Sequence, residues 1–485
     1  MKTLEELYPG CGYDTVIRDI KINSRDCGPG DLFVCIRGAS ADRHDFIPDA
    51  VSRGASALVT ARRVDCGVPA IVVEDPNREL SEVAKRLFDH PERELKLFAV
   101  TGTNGKTTVA QMISQIAGEE RCGRLGTNGL ACASFSEEIR NTSPDADRLY
   151  RYFRRIRETG CRWLCMEASS EALSAGRLQG LVFDTVIFTN ITRDHLNTHK
   201  TVENYVAAKL KLLELTGPES TAVLNTDDAW FPLVKKTARC RTVTYGTAPE
   251  ADLRLADHTL CGFSGSRFVW EWQGAVYEGF CPLPGRFNLY NLTAAGAALL
   301  QAGMTPEEVL AGAARIRPVP GRAECLDLGQ PFDIVLDYAH TPDALSKILG
   351  LAAEVKTARR AAGIPCRILT VTGSAGGRDR GKRPEMGRVV LEESDLVFFT
   401  MDDPRFERVE DIIDDLLDKT ERTNYRRIPD RGEAVAAAFR EAGPGDIVLL
   451  AGRGRDTHMA IGDRYVPMPE YDLVLAGLER LRTKL

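Results

Sequence analysis

The residues Gly102-Thr-Asn-Gly-Lys-Thr-Thr108 lie between an apolar run, Leu97-Phe-Ala-Val-Thr101, and a stretch with apolar residues at Val109, Met112, Ile113 and Ile116. The second spacing is one buried face of a helix, so the segment reads as a strand-to-helix loop. Glycines let backbone N–H groups curl around phosphate oxygens, and the helix N-terminus adds a favourable dipole. In that chemistry Lys106 reaches the β- and γ-phosphates and Thr107 holds Mg²⁺. Gly102, Thr103, Asn104, Gly105 and Thr108 complete the cradle. The loop is shorter than the GxxxxGK[ST] form, because position 100 is valine. A glycine turn beside a surface lysine is the plain alternative, and the strand–loop–helix context weighs against it. Glu167 ends a second apolar run, and a carboxylate there suits Mg²⁺ beside the phosphates.

The elements that must position these residues follow from pattern. Short β-branched runs alternate with helical stretches, the signature of mainly parallel sheets. Strands are expected at 97–101, 163–169, 182–190 and 221–227, then at 333–340, 367–373, 395–400 and 446–452. Ligands of open α/β sheets bind outside the carboxyl ends of strands, where most of these runs meet polar residues. The first 90 or so residues alternate apolar runs with turns, as in a small α/β unit. A charged stretch at 91–96 and a Pro- and Gly-interrupted one at 316–322 mark boundaries. Three domains are expected, 1–93, 94–318 and 319–485, as a chain of 485 residues allows at roughly 150 per domain.

Composition narrows the class. With 43% hydrophobic and 27% charged residues the chain is of ordinary globular type. A net charge of −6 argues against nucleic acid or an anionic membrane as the main partner. The first ten residues carry Glu5 and Glu6 and lack the apolar core of a signal peptide. The longest apolar stretches, such as 292–304, fall short of the ~18 residues that span a bilayer. Thirteen cysteines, odd in number and without a CxxC pair, do not form a disulfide framework or a structural zinc site. A cytoplasmic monomer without membrane insertion is expected.

The short loop resembles that of the Mur ligases, ATP-dependent enzymes that add amino acids to UDP-N-acetylmuramoyl peptides. The resemblance runs over all three segments. It is nearest to the member that extends UDP-N-acetylmuramoyl-L-alanyl-D-glutamate. It implies a small N-terminal α/β uridine-binding domain, a central P-loop-type ATPase domain on a mostly parallel sheet, and a C-terminal Rossmann-like domain. Glu167 matches the family's magnesium glutamate. Asp194-His-Leu-Asn-Thr-His199 resembles DHLDxH, which makes His195 a ligand of a second Mg²⁺. Lys209 falls where the family carries a lysine carbamylated by CO₂, an added anion for that metal. Asp337-Tyr-Ala-His340 resembles the DYAH segment, with Asp337 on the ATP ribose and His340 near the nucleotide. Arg322 matches an arginine that reaches the phosphates, and Asn288 and Asn291 match residues lining the nucleotide pocket.

For the sugar-peptide substrate, the resemblance carries over Ser24 and His44 in the first domain. It adds Asn141, Thr142 and Ser143, with Ser169 and Arg177. The chain departs from the family at Asn23 for Asp, Glu171 for His and Ala175 for Gln. For the incoming amino acid, Asp402-Asp-Pro-Arg405 resembles the DNPR motif of enzymes that add meso-diaminopimelate. An arginine fork binds a carboxylate with paired hydrogen bonds, so Arg405 favours diaminopimelate, which has a distal carboxylate. Asp403 in place of Asn pulls the other way, toward a distal ammonium, and keeps lysine and ornithine open. Asp456, after Gly452, stands for a longer glutamate. Arg383 is assigned to the α-carboxylate, and the segment 373–379 departs from GCGGDRD.

The reaction so implied forms an amide through an acyl phosphate, without a covalent enzyme nucleophile. Two rivals stay open. One is a folylpolyglutamate synthetase-like ligase, against which the segment 20–50 argues. The other is a non-catalytic UDP-muramoyl-peptide-binding paralogue.

Overall fold

Three sheets of four, eleven and six strands organise the chain in its computed structural model, which describes residues 1–37, 41–139, 141–418 and 420–482. The first sheet sets Asp19–Lys21, Asp31–Val34, Ala57–Thr60 and Ala70–Val72 side by side, all parallel. The central sheet has a parallel middle in the order Cys122–Gly126, Trp163–Glu167, Lys96–Thr101, Phe183–Phe188, Thr216–Asn225, Arg241–Gly246. The third sheet runs Glu324–Leu326, Asp333–Asp337, Ile447–Ala451, Ile368–Thr372, Leu396–Phe399, Tyr425–Arg427, parallel except for its first strand.

Each of the eight runs expected as a strand is one. Their continuous burial explains why: helices cover both faces, so the runs are apolar throughout rather than alternating. Both edges of the central sheet differ from the expectation. Gly129–Cys132 and Phe135–Glu137 extend one edge antiparallel, and Ser266–Trp272 and Ala275–Cys281 extend the other. In Ser266–Trp272 alternate residues are buried, and Trp270 rests on Gly296 of the helix Arg286–Gln301. A Cβ on Gly296 would stand 2.6 Å from that ring. Such half-buried strands carry a weaker apolar signal than the parallel core.

One apolar cluster runs from Leu4, Ile20 and Leu32 through Leu87 to Leu97, Phe153 and Leu164, so the first unit is packed onto the central one. The Ser81 and Tyr150 hydroxyls meet at 2.9 Å in that seam. On the third sheet, the helices Pro342–Ala361 and Arg383–Glu393 cover one face, and Arg431–Glu441 and Glu470–Arg482 the other. No helix among the described residues is long and apolar enough to cross a membrane.

Candidate active site

The phosphate loop leaves the strand Lys96–Thr101 and ends in the helix Lys106–Ala117. Gly105 has φ +89°, and a Cβ there would stand 2.3 Å from Asn291 Oδ1, so glycine is required twice over. Neighbouring strand ends hold the loop in shape. Asn104 N–H donates to Asn190 Oδ1 at 3.0 Å, and its carbonyl accepts from Thr189 Oγ1 at 2.6 Å. Thr103 Oγ1 donates to the Thr192 carbonyl at 3.1 Å and accepts from Thr192 N–H at 2.9 Å. Among the described residues Lys106 Nζ bonds only carbonyls, Gly102 and Thr103, both at 2.9 Å. Burial pulls its pKa below the usual lysine value, against the pull of Glu167 and Asp194.

Glu167 is buried at the end of the neighbouring strand. Its carboxylate accepts from Thr107 Oγ1 at 3.0 Å and from Thr127 N–H at 2.7 Å. Lys209, on the helix Val202–Leu210, is also buried, and its Nζ donates to the Gly102 carbonyl at 2.7 Å. Burial, then repulsion from Lys106, pushes the Lys209 ammonium well below its ordinary pKa. His195 lies between Asp194, at 3.5 Å, and Glu171, at 3.8 Å. Burial would raise Asp194, but His195, His340 and Lys382 outweigh it and hold the carboxyl down at about 2.

These groups face one cavity of about 1040 Å³, into which the third sheet also projects. The cavity brings together Thr103 to Thr108, Asn141, Thr142, Glu167, Ser169, Arg177, His195, Lys209, Asn288, Asn291, Arg322, Asp337 and His340. Asp337 takes the N–H groups of Ala323, at 2.6 Å, and Ala339, at 2.8 Å, which fixes the turn below it. His340 Nδ1 donates to the Tyr338 carbonyl at 2.7 Å. Arg322 lies 4.7 Å over the Tyr338 ring. Polar contacts among the described residues tie the third domain to the central one. Asn104 Nδ2 donates to Asp343 Oδ2 at 2.7 Å, Lys382 meets Asp194 at 4.0 Å, and Arg193 meets Asp379 at 3.9 Å.

Other expected residues sit elsewhere. Gly102 lies behind the loop, its carbonyl receiving both lysines. Ser143 is fully buried and braces the Glu167 strand, donating to the Glu167 carbonyl at 2.8 Å. Ser24 is buried under the first domain's surface. His44 has both ring nitrogens occupied: Nδ1 lies 2.5 Å from Asp42 Oδ1, and Nε2 accepts from Ala61 N–H at 3.0 Å. It holds a loop rather than offering a nitrogen to uridine.

Arg383 also differs from its assignment. Its guanidinium is fully buried, with Nη1 on Glu407 and Asp415 at 2.8 and 2.7 Å, and Nη2 on the Ala375 carbonyl at 2.9 Å. Two carboxylates already neutralise it, so it is not displayed to an incoming α-carboxylate. The arginine of that segment that lines the cavity is Arg378. Sequence reasoning missed it, because in a segment with basic residues at 378, 380, 382 and 383 no spacing tells which faces inward. Asp402, Asp403, Arg405, Gly452 and Asp456 form a separate group on the third sheet's strand ends. A Cβ on Gly452 would stand 2.3 Å from Asp402 Oδ2, and Asp456 Oδ1 accepts from the Tyr338 hydroxyl at 2.8 Å.

A phosphate loop, a strand-end glutamate beside it and a third domain reaching over the same cavity define a three-domain, nucleotide-dependent α/β enzyme. The descriptions "Mur ligase family, catalytic domain", "Mur ligase middle domain" and "Mur ligase, glutamate ligase domain" match residues 16–97, 100–299 and 321–454. A Solibacter usitatus protein named UDP-N-acetylmuramoyl-L-alanyl-D-glutamate–2,6-diaminopimelate ligase is 38% identical over 93% of this chain and 91% of its own length. A solved structure with the same protein name has a TM-score of 0.68 at 28% identity, covering 99% of this chain and 100% of that one. The MurF ligase of Thermotoga maritima in complex with ADP has a TM-score of 0.67 at 18% identity, covering 97% and 100%. The chain belongs to the Mur ligase family.

Proposed function

We propose that this chain is an ATP-dependent ligase that joins a diamino acid, meso-diaminopimelate, to the D-glutamate of UDP-N-acetylmuramoyl-L-alanyl-D-glutamate. It would act as a cytoplasmic monomer in peptidoglycan precursor synthesis. The observation that carries this reading is the single cavity in which the phosphate loop, Glu167 and the third domain's Asp337 and His340 converge. Relatives bearing that ligase name over nearly the whole chain support the choice of substrates.

The residues fit the two Mg²⁺ ions such chemistry calls for. Thr107 and Glu167 offer hard oxygen donors already in contact, and His195 lines the same cavity. Lys209 suits carbamylation, because its depressed pKa favours the neutral amine that adds to CO₂. When bound, the ions would neutralise charge on the phosphates. The chain's own part is electrostatics and positioning. The D-glutamyl γ-carboxylate attacks the γ-phosphorus of ATP, the bond to the β-bridging oxygen breaks, and ADP leaves. Lys106 stabilises the charge moving along that line. The amine then attacks the acyl carbon, and the tetrahedral intermediate loses phosphate and a proton to give the amide. Asn141, Thr142, Ser169 and Arg177 are assigned to the muramoyl peptide, and Asn288, Asn291 and Arg322 to the nucleotide. Arg378 takes the place first given to Arg383. Asp402, Asp403, Arg405, Gly452 and Asp456 frame the acceptor.

The test is mass spectrometry of reactions holding protein, ATP, Mg²⁺, bicarbonate, the UDP-muramoyl dipeptide and one of diaminopimelate, lysine or ornithine. A diaminopimelyl tripeptide with ADP is expected. Product with lysine or ornithine alone would overturn the acceptor. No product from any, with the UDP-sugar still bound, would leave the binding paralogue.

A further inference from the structure

Among the described residues, Arg383, Arg431 and Arg453 are fully buried. Arg431 Nε donates to both oxygens of the equally buried Glu470, at 2.9 and 2.8 Å. Arg453 stands between two carboxylates. Its Nε donates to Glu470 Oε2 at 3.2 Å, and its Nη1 to Asp403 Oδ1 at 3.3 Å. Its Nη2 is held by the carbonyls of His458, at 2.9 Å, and Met468, at 3.2 Å. The same Asp403 oxygen accepts from Ala460 N–H at 2.9 Å.

The turn so gripped carries Arg405. Asp403 and Arg405 have φ of +45° and +53°, left-handed values that a residue with a Cβ keeps only where its surroundings over-determine them. Arg405 N–H donates to the Ala460 carbonyl at 2.9 Å, and its own carbonyl accepts from Gly462 N–H at 2.7 Å. Arg405 Nε is buried without a hydrogen-bond partner among the described residues. An aspartate two residues from a carboxylate-binding arginine would repel the same ligand unless its charge were matched, because close charges interact strongly where water is scarce.

We propose that Arg453 is a positioning and specificity-setting residue for the acceptor amino acid. It supplies the buried counter-charge to Asp403, so that the turn presents the Arg405 guanidinium to a distal carboxylate instead of an anion to a distal ammonium. The inference rests on the proposed ligase reading and deepens it: Asp403, which in sequence points to lysine or ornithine, is neutralised from inside.

The test is steady-state ligation with diaminopimelate and with lysine, for wild type, Arg453→Lys, Arg453→Met and Arg453→Met/Asp403→Asn. Arg453→Met is expected to raise KM for diaminopimelate at least tenfold, with kcat and KM for ATP moving less than threefold. The ratio of kcat/KM for diaminopimelate over lysine should fall at least tenfold. Arg453→Lys keeps the charge and should recover most of the loss. The double variant removes the unmatched carboxylate and should recover the ratio to within about threefold of wild type. A merely structural arginine would give a double variant no better than the single one, with KM for ATP and diaminopimelate shifted together. That result overturns the proposal, as does an unchanged diaminopimelate KM in Arg453→Met. If Arg453→Met does not fold, the proposal rests on Arg453→Lys and the double variant, and a double variant that folds but prefers lysine overturns it. A wild type that makes no product overturns the ligase reading itself, and the inference with it.

Discussion

Buried basic side chains are treated in opposite ways in the central cavity and in the third domain. Lys106 and Lys209 both donate to the carbonyl of Gly102, at 2.9 and 2.7 Å, and burial lowers the pKa of each. Among the described residues neither has a carboxylate at salt-bridge distance. Arg383, Arg431 and Arg453, by contrast, each hold at least one carboxylate, and Arg383 and Arg453 hold two. A buried charge that is already paired is architecture, because removing its partner strands an ion in a low dielectric. A buried amine left on neutral dipoles is open to chemistry instead, Lys106 to an incoming phosphate and Lys209 to modification. The difference separates residues that meet substrate from residues that hold the shape around it.

The sharpest test of that distinction is Lys106→Ala. Ligation should fall by roughly 10³-fold or more, as on losing a main electrostatic donor to the transition state. The thermal midpoint should hardly move, and product release followed by mass spectrometry alongside a melting curve reads both. Arg383→Met should do the reverse. Losing a buried guanidinium that holds Glu407, Asp415 and the Ala375 carbonyl should remove on the order of 3 kcal/mol of stability. Urea unfolding measures it, and an unchanged midpoint with a raised acceptor KM would return Arg383 to the binding site.

Gly105→Ala should cost about 100-fold in kcat/KM for ATP, since a displacement near 1 Å is enough to spoil alignment of that kind. The added methyl meets Asn291 Oδ1 at 2.3 Å in a left-handed turn. The smallest effect concerns Asp402, whose carboxyl is pushed up to about 6 by burial, against Arg431 and Arg453. The folded state then holds a proton that the unfolded chain gives up near its ordinary value, so stability falls as pH rises from about 4 to 6 and stays lowered above. Asp402→Asn should therefore gain up to about 3 kcal/mol at pH 8 and nothing near pH 4, in denaturant unfolding at the two pH values.

What the sequence determined by itself was local. The loop 102–108, the eight parallel strands and the polar residues at their ends are readable because strand, turn and helix signals lie within a few residues of each other, and helices on both faces make the runs apolar throughout. The antiparallel edges are weaker signals for the opposite reason: a strand buried on one face, such as Ser266–Trp272, is half polar. Tertiary structure decided the pairings. That Lys209 reaches Gly102, that His44 Nε2 takes the Ala61 N–H, that Arg383 meets Glu407 and Asp415, and that Asp403 meets Arg453 depend on contacts between residues 17 to 107 apart in the chain. A charged side chain's type is written in the chain, but whether it is matched is a property of what folds against it, and that sets whether it binds a ligand or a neighbour.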